Sequence, residues 1–520
     1  MPLRLPERRR ARIGLAGLAG AGLGLGMAPF GLWPLTLVGI GIAGLLFASA
    51  PTWRVAARDG WAVASASYLV SMHWIVEPFL VDIARHGWMA PFALIFLAAG
   101  LALFWGAAFG LAHRLTLSLF QKYSRGVAHG DGGSAPFAPL SALATLTLCL
   151  GGAEWVRGHI FTGFPWNLPS QIWLDLPAAQ LASTFGAYGL TTLTFALVLL
   201  PLGLALSGHA RMAAATGFVA LAAATLTPVP PAPATAPDAP RVRLVQPNAP
   251  QHQKWDPAFM PVFFNRLVEA SAASPRPDLI VWPETAAPGL LNTTQEALAY
   301  AADMAGGVPI VTGAPRVDAA GNYLNSVVVL DAGGAPVTTY DKHHLVPFGE
   351  YLPLGDLLRR FGLSAMADLY GGGFTAGPGP RLIDAGPVAD VLPLICYEAV
   401  FPRDVSRAPA RPRVLLHLTN DAWFGNFSGP YQHLAQSRMR AIEQGLPLLR
   451  AANTGVSAAI DARGQVIASL ALNTDGHLDV ALPTARPPTP YARWGDLASL
   501  PLLAALVLLA LATGHRRARP

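Results

Sequence analysis

The feature that most constrains this chain is a series of apolar runs, each near 20 residues long. They lie at residues 12–29, 30–50, 60–78, 88–112, 137–156, 178–207, 212–229 and 496–514. A helix of about 20 apolar residues crosses the hydrocarbon core of a bilayer. Several runs are rich in Gly and Ala, which lets helices pack closely in lipid. The sequence therefore predicts a polytopic α-helical membrane domain with about eight transmembrane helices.

Composition supports a membrane protein. Hydrophobic residues make up 52% of the chain and charged residues only 13%, whereas about 25% of the residues in a soluble domain are charged. The formal net charge is +6, but the basic residues cluster at the ends of the apolar runs and form no stripe with interleaved aromatic residues. We therefore expect no nucleic-acid partner and interpret the charge as a topology signal.

The basic residues between the runs predict an orientation, because Lys and Arg in short loops favour the cytoplasmic side. Alternate loops, counted from the N-terminus, carry them at residues 4–12, 54–58, 114–125, 211 and 516–519. Both termini are thus expected in the cytoplasm. Residues 230–490 are expected outside it, tethered to the membrane at both ends.

A proline-rich stretch at residues 227–240 marks a change in composition and is expected to act as a semi-rigid spacer. After it, short apolar strands alternate with longer amphipathic segments. The predicted strands are 242–246, 279–282, 309–313, 327–330, 391–395, 414–418 and 448–451, and the predicted helices are 257–273, 292–305 and 430–444. This alternation predicts an α/β domain with a mixed sheet.

We therefore divide the chain into five parts. Residues 1–229 are expected to hold transmembrane helices 1–7, and residues 230–240 the linker. Residues 241–490 form the α/β domain, 495–514 transmembrane helix 8, and 515–520 a cytoplasmic tail.

Three segments end in polar residues of the kind found at strand ends, and in α/β sheets such ends gather at the ligand site. The three segments read Ile-Val-Trp-Pro-Glu-Thr at 280–285, Tyr-Asp-Lys-His-His-Leu-Val-Pro-Phe-Gly-Glu-Tyr at 340–351, and Ile-Cys-Tyr-Glu at 395–398. Taken alone, Cys396 is better explained as a small buried hydrophobic residue than as a nucleophile. Glu284 alone would be a strand-end carboxylate, and Lys342 a solvated turn residue.

Together, Glu284, Lys342 and Cys396 in these contexts resemble the Glu-Lys-Cys triad of the nitrilase superfamily. With seven apolar runs before the α/β domain and one after it, the whole chain resembles the apolipoprotein N-acyltransferase family, which anchors such a domain in the membrane. This resemblance implies an extracytoplasmic, nitrilase-like αββα sandwich and a location in the bacterial inner membrane.

The resemblance also implies the reaction. An acyl chain would pass from a phospholipid donor, through a cysteine thioester, to the N-terminal amine of a diacylglyceryl-modified apolipoprotein, which is the last step of bacterial lipoprotein maturation. It implies no cofactor, and we expect a monomer.

The residue chemistry fits this reaction. A thiol divides acyl transfer into thioester formation and thioester aminolysis. Cys396 would supply the sulfur, and Glu284 would act as the base, because a free thiol with a pKa near 8.5 is mostly protonated at neutral pH. The ammonium of Lys342 would stabilise the oxyanion of each tetrahedral intermediate.

Further residues are assigned by the resemblance. Glu350 would hold Lys342 or share its proton, and Glu398 would fix the geometry near Cys396; the alternative for both is a structural ion pair. Tyr397 corresponds to the residue that follows the nucleophile, and Trp255 to a tryptophan on a mobile arm, with core packing as the competing explanation.

Three other features are interpreted from the sequence itself. The aromatic residues of segment 420–425 suggest a lid that carries Trp423. The apolar segment 352–374 is either an arm that dips into lipid or an ordinary packed helix. His343 and His344 invite a metal site, but adjacent histidines do not share a face and no third ligand is evident, so we expect no metal.

Two other functions remain open. A membrane-tethered amidase or nitrilase could use the same triad for hydrolysis, although a shielded apolar site favours transfer, because water must be kept from the thioester. A transporter with a regulatory outer domain is the second alternative. The apolar runs hold few of the ionisable residues that coupled transporters place near the midplane.

Overall fold

A computed structural model describes residues 8–124, 138–229, 231–353, 355 and 373–515. The chain divides into two compact units. The helical unit comprises Met1–Phe79, Arg85–Val229 and Arg493–Pro520, and the α/β unit comprises Leu80–Ala84 and Pro230–Ala492. Most of the apolar segment 352–374, for which an arm or a packed helix was expected, lies outside the described residues.

Eight main helices are described in the helical unit. They are Arg9–Gly24, Trp33–Ala48, Trp53–Ser71, Ala90–Ser124, Pro139–Arg157, Ala182–Leu206, Ala210–Leu226 and Leu500–His515. Among the described residues, four helical stretches are long and apolar enough to cross a membrane: Ile83–Ser118, Pro139–Arg157, Pro177–Leu206 and Pro490–Gly514. Trp33–Ala48 and Ala210–Leu226 are apolar but shorter. An N-terminal region with several apolar helices is therefore confirmed, while the count of eight spans stays a prediction.

Glycines allow close contact between the first helices of this unit. A Cβ atom at Gly20 would lie 2.0 Å from the carbonyl oxygen of Val63, and one at Gly24 would lie 2.7 Å from that of Ser67. Helix Arg9–Gly24 therefore packs on helix Trp53–Ser71 at a distance that only glycine permits. The Gly-rich start of the sequence serves helix packing.

The α/β unit contains two mixed β-sheets. Its strands are β1 Arg241–Gln246, β2 Leu279–Val281, β3 Ile310–Val317, β4 Tyr323–Leu330, β5 Pro336–Asp341, β6 Val391–Ile395, β7 Val414–Thr419, β8 Leu448–Ala452, β9 Ala458–Ile460, β10 Val466–Ser469 and β11 Gly476–Ala481. The first sheet has the order β11-β1-β2-β3-β4-β5, and the second has the order β10-β9-β8-β7-β6. Strands β1, β2 and β3 run parallel, as do β6, β7 and β8, and the other pairs are antiparallel.

These sheets face each other across an apolar core and carry helices on their outer faces. The inner layer joins residues such as Val242 and Val281 of the first sheet to Ile395 and Leu416 of the second. Helices Met260–Ala272 and Gln295–Met304 cover the first sheet, and helix Ser428–Gln444 covers the second. The predicted α/β domain is confirmed, and its two facing sheets with outer helices form an αββα sandwich.

The pattern of apolar residues alone predicted a mixed sheet without the number of sheets, whereas the αββα sandwich implied by the resemblance has the two sheets that are observed. Periodicity locates a strand but does not say which strand it pairs with. Each of the seven predicted strands overlaps an observed one, but β5, β9, β10 and β11 were not predicted. Strand β5 is mostly exposed or half-buried and β10 and β11 largely so, which leaves them without a long apolar run.

Candidate active site

The three motif residues follow three different strands of the α/β unit. Glu284 comes three residues after β2, Lys342 directly after β5, and Cys396 directly after β6. The first two strands belong to one sheet and β6 belongs to the other. All three side chains are buried, with exposed fractions of 6%, 1% and 5%. The sheet packing thus gathers residues that lie up to 112 positions apart, counted from Glu284 to Cys396.

Cys396 lies at a sharp turn between a strand and a short helix. Its φ angle is +48°, in the left-handed region that residues other than glycine rarely occupy. The chain turns there from β6 into the 3-10 helix Cys396–Val400. A strained strand-to-helix turn is also how other enzymes present a nucleophile.

Lys342 lies between two carboxylates. Its Nζ atom is 2.8 Å from Glu350 Oε1 and 3.6 Å from Glu284 Oε1. Burial by itself would lower the pKa of Lys342, but Glu350, Glu284 and the neighbouring Cys396 outweigh burial and raise it. Lys342 is therefore a fixed ammonium ion at neutral pH.

Both oxygens of Glu284 accept hydrogen bonds. Oε1 accepts one from the Asn325 side-chain amide at 2.7 Å, and Oε2 accepts one from the backbone N–H of Asn420 at 2.8 Å. The same Asn325 amide also donates to Glu350 Oε1 at 3.2 Å. These donors hold the Glu284 carboxylate in one orientation beside Lys342.

Burial raises the pKa of the Cys396 thiol. The negative charge of Glu284 raises it further, while Lys342 and a hydrogen bond from Thr419 act in the opposite direction. The thiol therefore keeps its proton at neutral pH until a base removes it. The charges of two carboxylates, Glu284 and more weakly Asp421, reach the thiol.

Glu398 ties two segments of the site together. Its Oε2 accepts from the backbone N–H of Ile395 at 2.7 Å, and its Oε1 accepts from that of His343 at 2.8 Å. Tyr340 donates to it from its hydroxyl at 3.2 Å. Glu398 is fully buried and so links the residue next to Lys342 to the residue before Cys396.

Tyr397 is held by other aromatic rings. Its ring packs edge-on against His344 and Phe401, with centroid distances of 5.7 and 4.9 Å. His344 in turn stacks on Phe401 and shares a hydrogen bond of 2.7 Å with Asp404 through Nδ1. Within the described ranges, no group of three or more His, Cys, Asp or Glu residues is arranged to hold a metal ion.

Trp255 borders a small open cavity that is also lined by Pro283 and Thr285, the two neighbours of Glu284 in the sequence. Met260, Phe263, Phe264 and Leu267 also line this cavity. Lys254, the neighbour of Trp255, donates to the Glu284 carbonyl oxygen at 3.1 Å and to the Thr285 hydroxyl at 2.6 Å. Burial lowers the pKa of Lys254 to about 8, although Glu284 acts against that shift.

Trp423 lies in a short 3-10 turn, Asp421–Trp423, and is half-buried. The segment that was expected to form a lid has a buried start, because Asn420 and Asp421 are both in the core. Asp421 is ion-paired with Arg450 there. The lid role of Trp423 stays a prediction.

Sequence reasoning missed Asn325, Lys254 and the backbone of Asn420 as partners of Glu284. Asn325 lies inside β4 and carries no motif around it. Lys254 stands in the Gln-Lys-Trp segment from which Trp255 was chosen, and a lysine next to an expected site tryptophan was the one available signal.

Two family models match this chain. The carbon-nitrogen hydrolase model matches residues 241–486, and the apolipoprotein N-acyltransferase N-terminal domain model matches residues 19–200. An apolipoprotein N-acyltransferase from Rhodopseudomonas palustris is 38% identical, over 97% of this chain and 95% of that protein. Relatives with the same name from Caulobacter vibrioides and Bradyrhizobium diazoefficiens are 38% and 36% identical, over 96% and 95% of this chain and 94% and 93% of theirs.

The chain belongs to the apolipoprotein N-acyltransferase family. The resemblance noted from the three motifs is therefore confirmed. Membership makes the chain an acyltransferase, with a catalytic unit of the carbon-nitrogen hydrolase type. Among solved structures, an amidase of the nitrilase superfamily from Nesterenkonia AN1 aligns with a TM-score of 0.35 and 21% identity, covering 49% of this chain and 95% of that one.

Proposed function

We propose that this member of the apolipoprotein N-acyltransferase family moves a fatty acyl chain from a phospholipid to the N-terminal amine of a diacylglyceryl-cysteine on an apolipoprotein. The donor class and the acceptor follow from the family. The observation that carries the mechanism is the buried arrangement of Cys396, Glu284 and Lys342, in which a protonated thiol, a carboxylate and an ammonium ion lie together.

In the first half-reaction Glu284 takes the proton of Cys396 as the sulfur attacks the ester carbonyl. The carbon–sulfur bond forms, and an oxyanion develops that Lys342 stabilises. The ester carbon–oxygen bond then breaks, and the lysophospholipid leaves with the proton that Glu284 returns. Cys396 is left as a thioester.

In the second half-reaction the acceptor amine attacks the thioester carbonyl, and Glu284 accepts a proton from the attacking nitrogen. The carbon–nitrogen bond forms, the carbon–sulfur bond breaks, and the thiolate recovers its proton. The burial of all three side chains favours transfer over hydrolysis, because water competes poorly for a shielded thioester.

Supporting roles follow from the contacts. Glu350 is proposed to hold Lys342 through the 2.8 Å ion pair. Glu398 and Tyr397 are proposed to fix the turn that carries Cys396, through the Ile395 N–H and the aromatic packing described above. Trp255 and Trp423 are proposed as substrate-contacting residues at the rim of the site.

The membrane placement is also a proposal. Both substrates keep their acyl chains in the bilayer, so an enzyme that joins them benefits from a membrane anchor. We place residues 1–229 and 495–514 in the bacterial inner membrane as eight spans, and the catalytic residues 241–490 on the periplasmic side as a monomer. The apolar helices described above support this arrangement.

The test is to supply the purified full-length protein with phospholipid alone and to record its intact mass. We expect an acyl adduct on Cys396 that neutral hydroxylamine removes, and then N-acylated product when a diacylglyceryl peptide is added. Cys396→Ala should show no adduct and Glu284→Gln little. Cys149→Ser, which changes the other cysteine of the chain, should keep the adduct.

Two results would contradict this mechanism. If donor is cleaved only when acceptor is present, and no hydroxylamine-sensitive intermediate forms, the amine attacks the donor directly. If amides release ammonia and no peptide is acylated, the protein is a hydrolase.

A further inference from the structure

The carbonyl oxygen of Cys396 lies in a fully buried polar cluster. Two imidazoles face it, with the Nε2 atoms of His417 and His433 each 3.1 Å away. His417 belongs to β7 and His433 to helix Ser428–Gln444. A carbonyl oxygen only accepts hydrogen bonds, so an imidazole contributes here only when its Nε2 carries a proton.

The position of that proton is defined for His417. Its Nδ1 atom is 2.8 Å from Nη1 of Arg450, and a guanidinium group only donates. Nδ1 must therefore accept, which leaves the proton on Nε2, where it is donated to Cys396. Burial, followed by the charge of Arg450, lowers the pKa of His417 well below its ordinary value, so the ring is neutral.

The situation of His433 is different. Its Nδ1 atom lies 2.9 Å from Asp421 Oδ1, an acceptor, so that the Asp421 carboxylate competes with Cys396 for the ring proton. His417 is therefore the better-defined donor to the Cys396 carbonyl.

Arg450 is itself held firmly. It forms an ion pair with Asp421, and its Nε donates to the Val456 carbonyl oxygen at 3.2 Å. His417 and Arg450 are also register partners on the parallel strands β7 and β8. The donor that faces Cys396 is thus built into the sheet.

We propose that His417, kept in its Nε2–H tautomer by Arg450, is a positioning residue for the nucleophile. The peptide that joins Cys396 to Tyr397 is planar, so a bond to its oxygen sets the orientation of the whole unit. Cys396 has a left-handed φ of +48°, and such a conformation persists only where surrounding contacts hold it. His417 supplies one of those contacts and so directs the thiol towards Glu284 and the donor ester.

This inference rests on the proposed thioester mechanism, and its test separates the two. In a Cys149→Ser background, which leaves Cys396 as the only thiol, we compare His417→Gln, His417→Asn and His417→Leu. The amide nitrogen of Gln reaches about as far as Nε2, whereas that of Asn reaches only about as far as Nδ1. Readouts are kcat and KM for acyl transfer, the rate of Cys396 alkylation by iodoacetamide, and the melting temperature.

We expect the kcat of His417→Gln to stay within about threefold of the parent's. The kcat of His417→Asn and His417→Leu should fall by about 10- to 100-fold with little change in KM, as for a misplaced reacting group. Alkylation of Cys396 should likewise be little affected in His417→Gln and slower in His417→Asn and His417→Leu. Ser271→Ala removes another buried hydrogen bond of the α/β unit, which the Ser271 hydroxyl accepts from Trp282 Nε1 at 2.9 Å, and should change neither rate.

The proposal is overturned if the Gln and Asn variants lose kcat equally while both melt like the parent, or if Asn and Leu keep the parent's kcat and alkylation rate. A lower melting temperature with unchanged kcat would also overturn it, because the role would then be structural only. If the parent transfers no acyl group, the proposed function fails, and the alkylation series still decides whether His417 positions the thiol. The Gln and Asn pair remains decisive if the Leu variant does not fold.

Discussion

At the scale of single residues, the charge of Lys342 is the central electrostatic feature. A buried ammonium loses its hydration, and two carboxylates, at 2.8 and 3.6 Å, compensate that loss. The two carboxylates also fix the orientation of the ammonium group, because a side chain with two ionic partners has little rotational freedom. A cation in a dry site stabilises a developing oxyanion far better than a cation in water.

We predict that Lys342→Arg lowers kcat by about 100-fold or more although the charge is retained. The guanidinium is planar and larger than an ammonium, so it cannot occupy the same point between Glu284 and Glu350. Turnover of phospholipid and diacylglyceryl peptide measures this. The matched Arg266→Lys exchange, at a partly exposed ion pair 3.7 Å from Asp475, should leave turnover unchanged. Near-normal turnover by Lys342→Arg would remove Lys342 from the chemistry.

A second residue-scale prediction concerns pH. Burial by itself would lower the pKa of His343, but hydrogen bonds to Asp404 and Glu398 raise it to about 9. In the unfolded chain a histidine has a pKa of about 6.5. The stabilisation of the folded protein by protonated His343 is therefore fully present below about pH 6.5 and is lost as the pH rises through about 9.

We expect the melting temperature of the parent to fall more steeply between about pH 6.5 and 9.5 than that of His343→Gln. This window follows from a histidine pKa of about 6.5 in the unfolded chain and of about 9 in the folded protein. His477→Gln serves as the control, since burial lowers the pKa of His477 instead, and its slope over this range should match the parent's. Equal slopes for the parent and His343→Gln would show that His343 is not charged in the folded protein.

At the scale of secondary-structure elements, strand β3 supports the turn that carries Glu284. A Cβ atom at Gly313 would lie 2.4 Å from the backbone nitrogen of Thr285 and 2.5 Å from Cα of Glu284. The N–H of Gly313 donates to the carbonyl oxygen of Pro283, and the carbonyl oxygen of Gly313 accepts from the N–H of Ala287, both at 3.1 Å. The strand and the turn therefore touch through backbone atoms. The orientation of Glu284 thus depends on an element that contributes no side chain to the site.

We predict that Gly313→Ala lowers acyl-transfer activity by about 10-fold or more, because the turn must shift to admit a methyl group, and destabilises the unit by about 1–3 kcal/mol. Activity assays and chemical denaturation measure the two effects. Gly333→Ala is the control, because its Cβ would lie 3.5 Å from Asp331 Oδ1, at an ordinary contact distance. Equal behaviour of the two variants would show that the turn after β2 tolerates displacement.

At the scale of the whole molecule, the distribution of Lys and Arg bears on which side of the membrane the catalytic unit occupies. The basic loops alternate along the chain, as expected when every second loop is cytoplasmic. An even number of spans would return the C-terminus to the side on which the chain began. Both arguments favour cytoplasmic termini and a periplasmic α/β unit.

We predict that a reporter active only in the periplasm works when fused after Pro240 and fails at the C-terminus, and that a reporter active only in the cytoplasm shows the opposite pattern. Each fusion is the matched control of the other. An active cytoplasmic reporter after Pro240, or an active periplasmic reporter at the C-terminus, would refute the topology.

The sequence by itself determined the features that are encoded locally. Apolar runs predicted the helices, and the apolar stretch before Cys396 predicted β6 with the bounds Val391–Ile395 that the structure has. The three motifs predicted Glu284, Lys342 and Cys396 as a group, because together they resemble the triad of the nitrilase superfamily. The structure places Glu284 beside Lys342 and both within electrostatic reach of Cys396.

Only the tertiary structure decided which strands pair and what lies behind the motif residues. Asn325, His417 and Arg450 are ordinary strand residues in the sequence. Asn325 reaches Glu284, His417 reaches Cys396 and Arg450 reaches His417 only because β4, β7 and β8 occupy particular places in two sheets. Strand order is set by packing between segments far apart in the chain, which the local periodicity of a segment does not encode. For the same physical reason the motifs identify the reacting groups, whereas the contacts that orient them appear only in the folded chain.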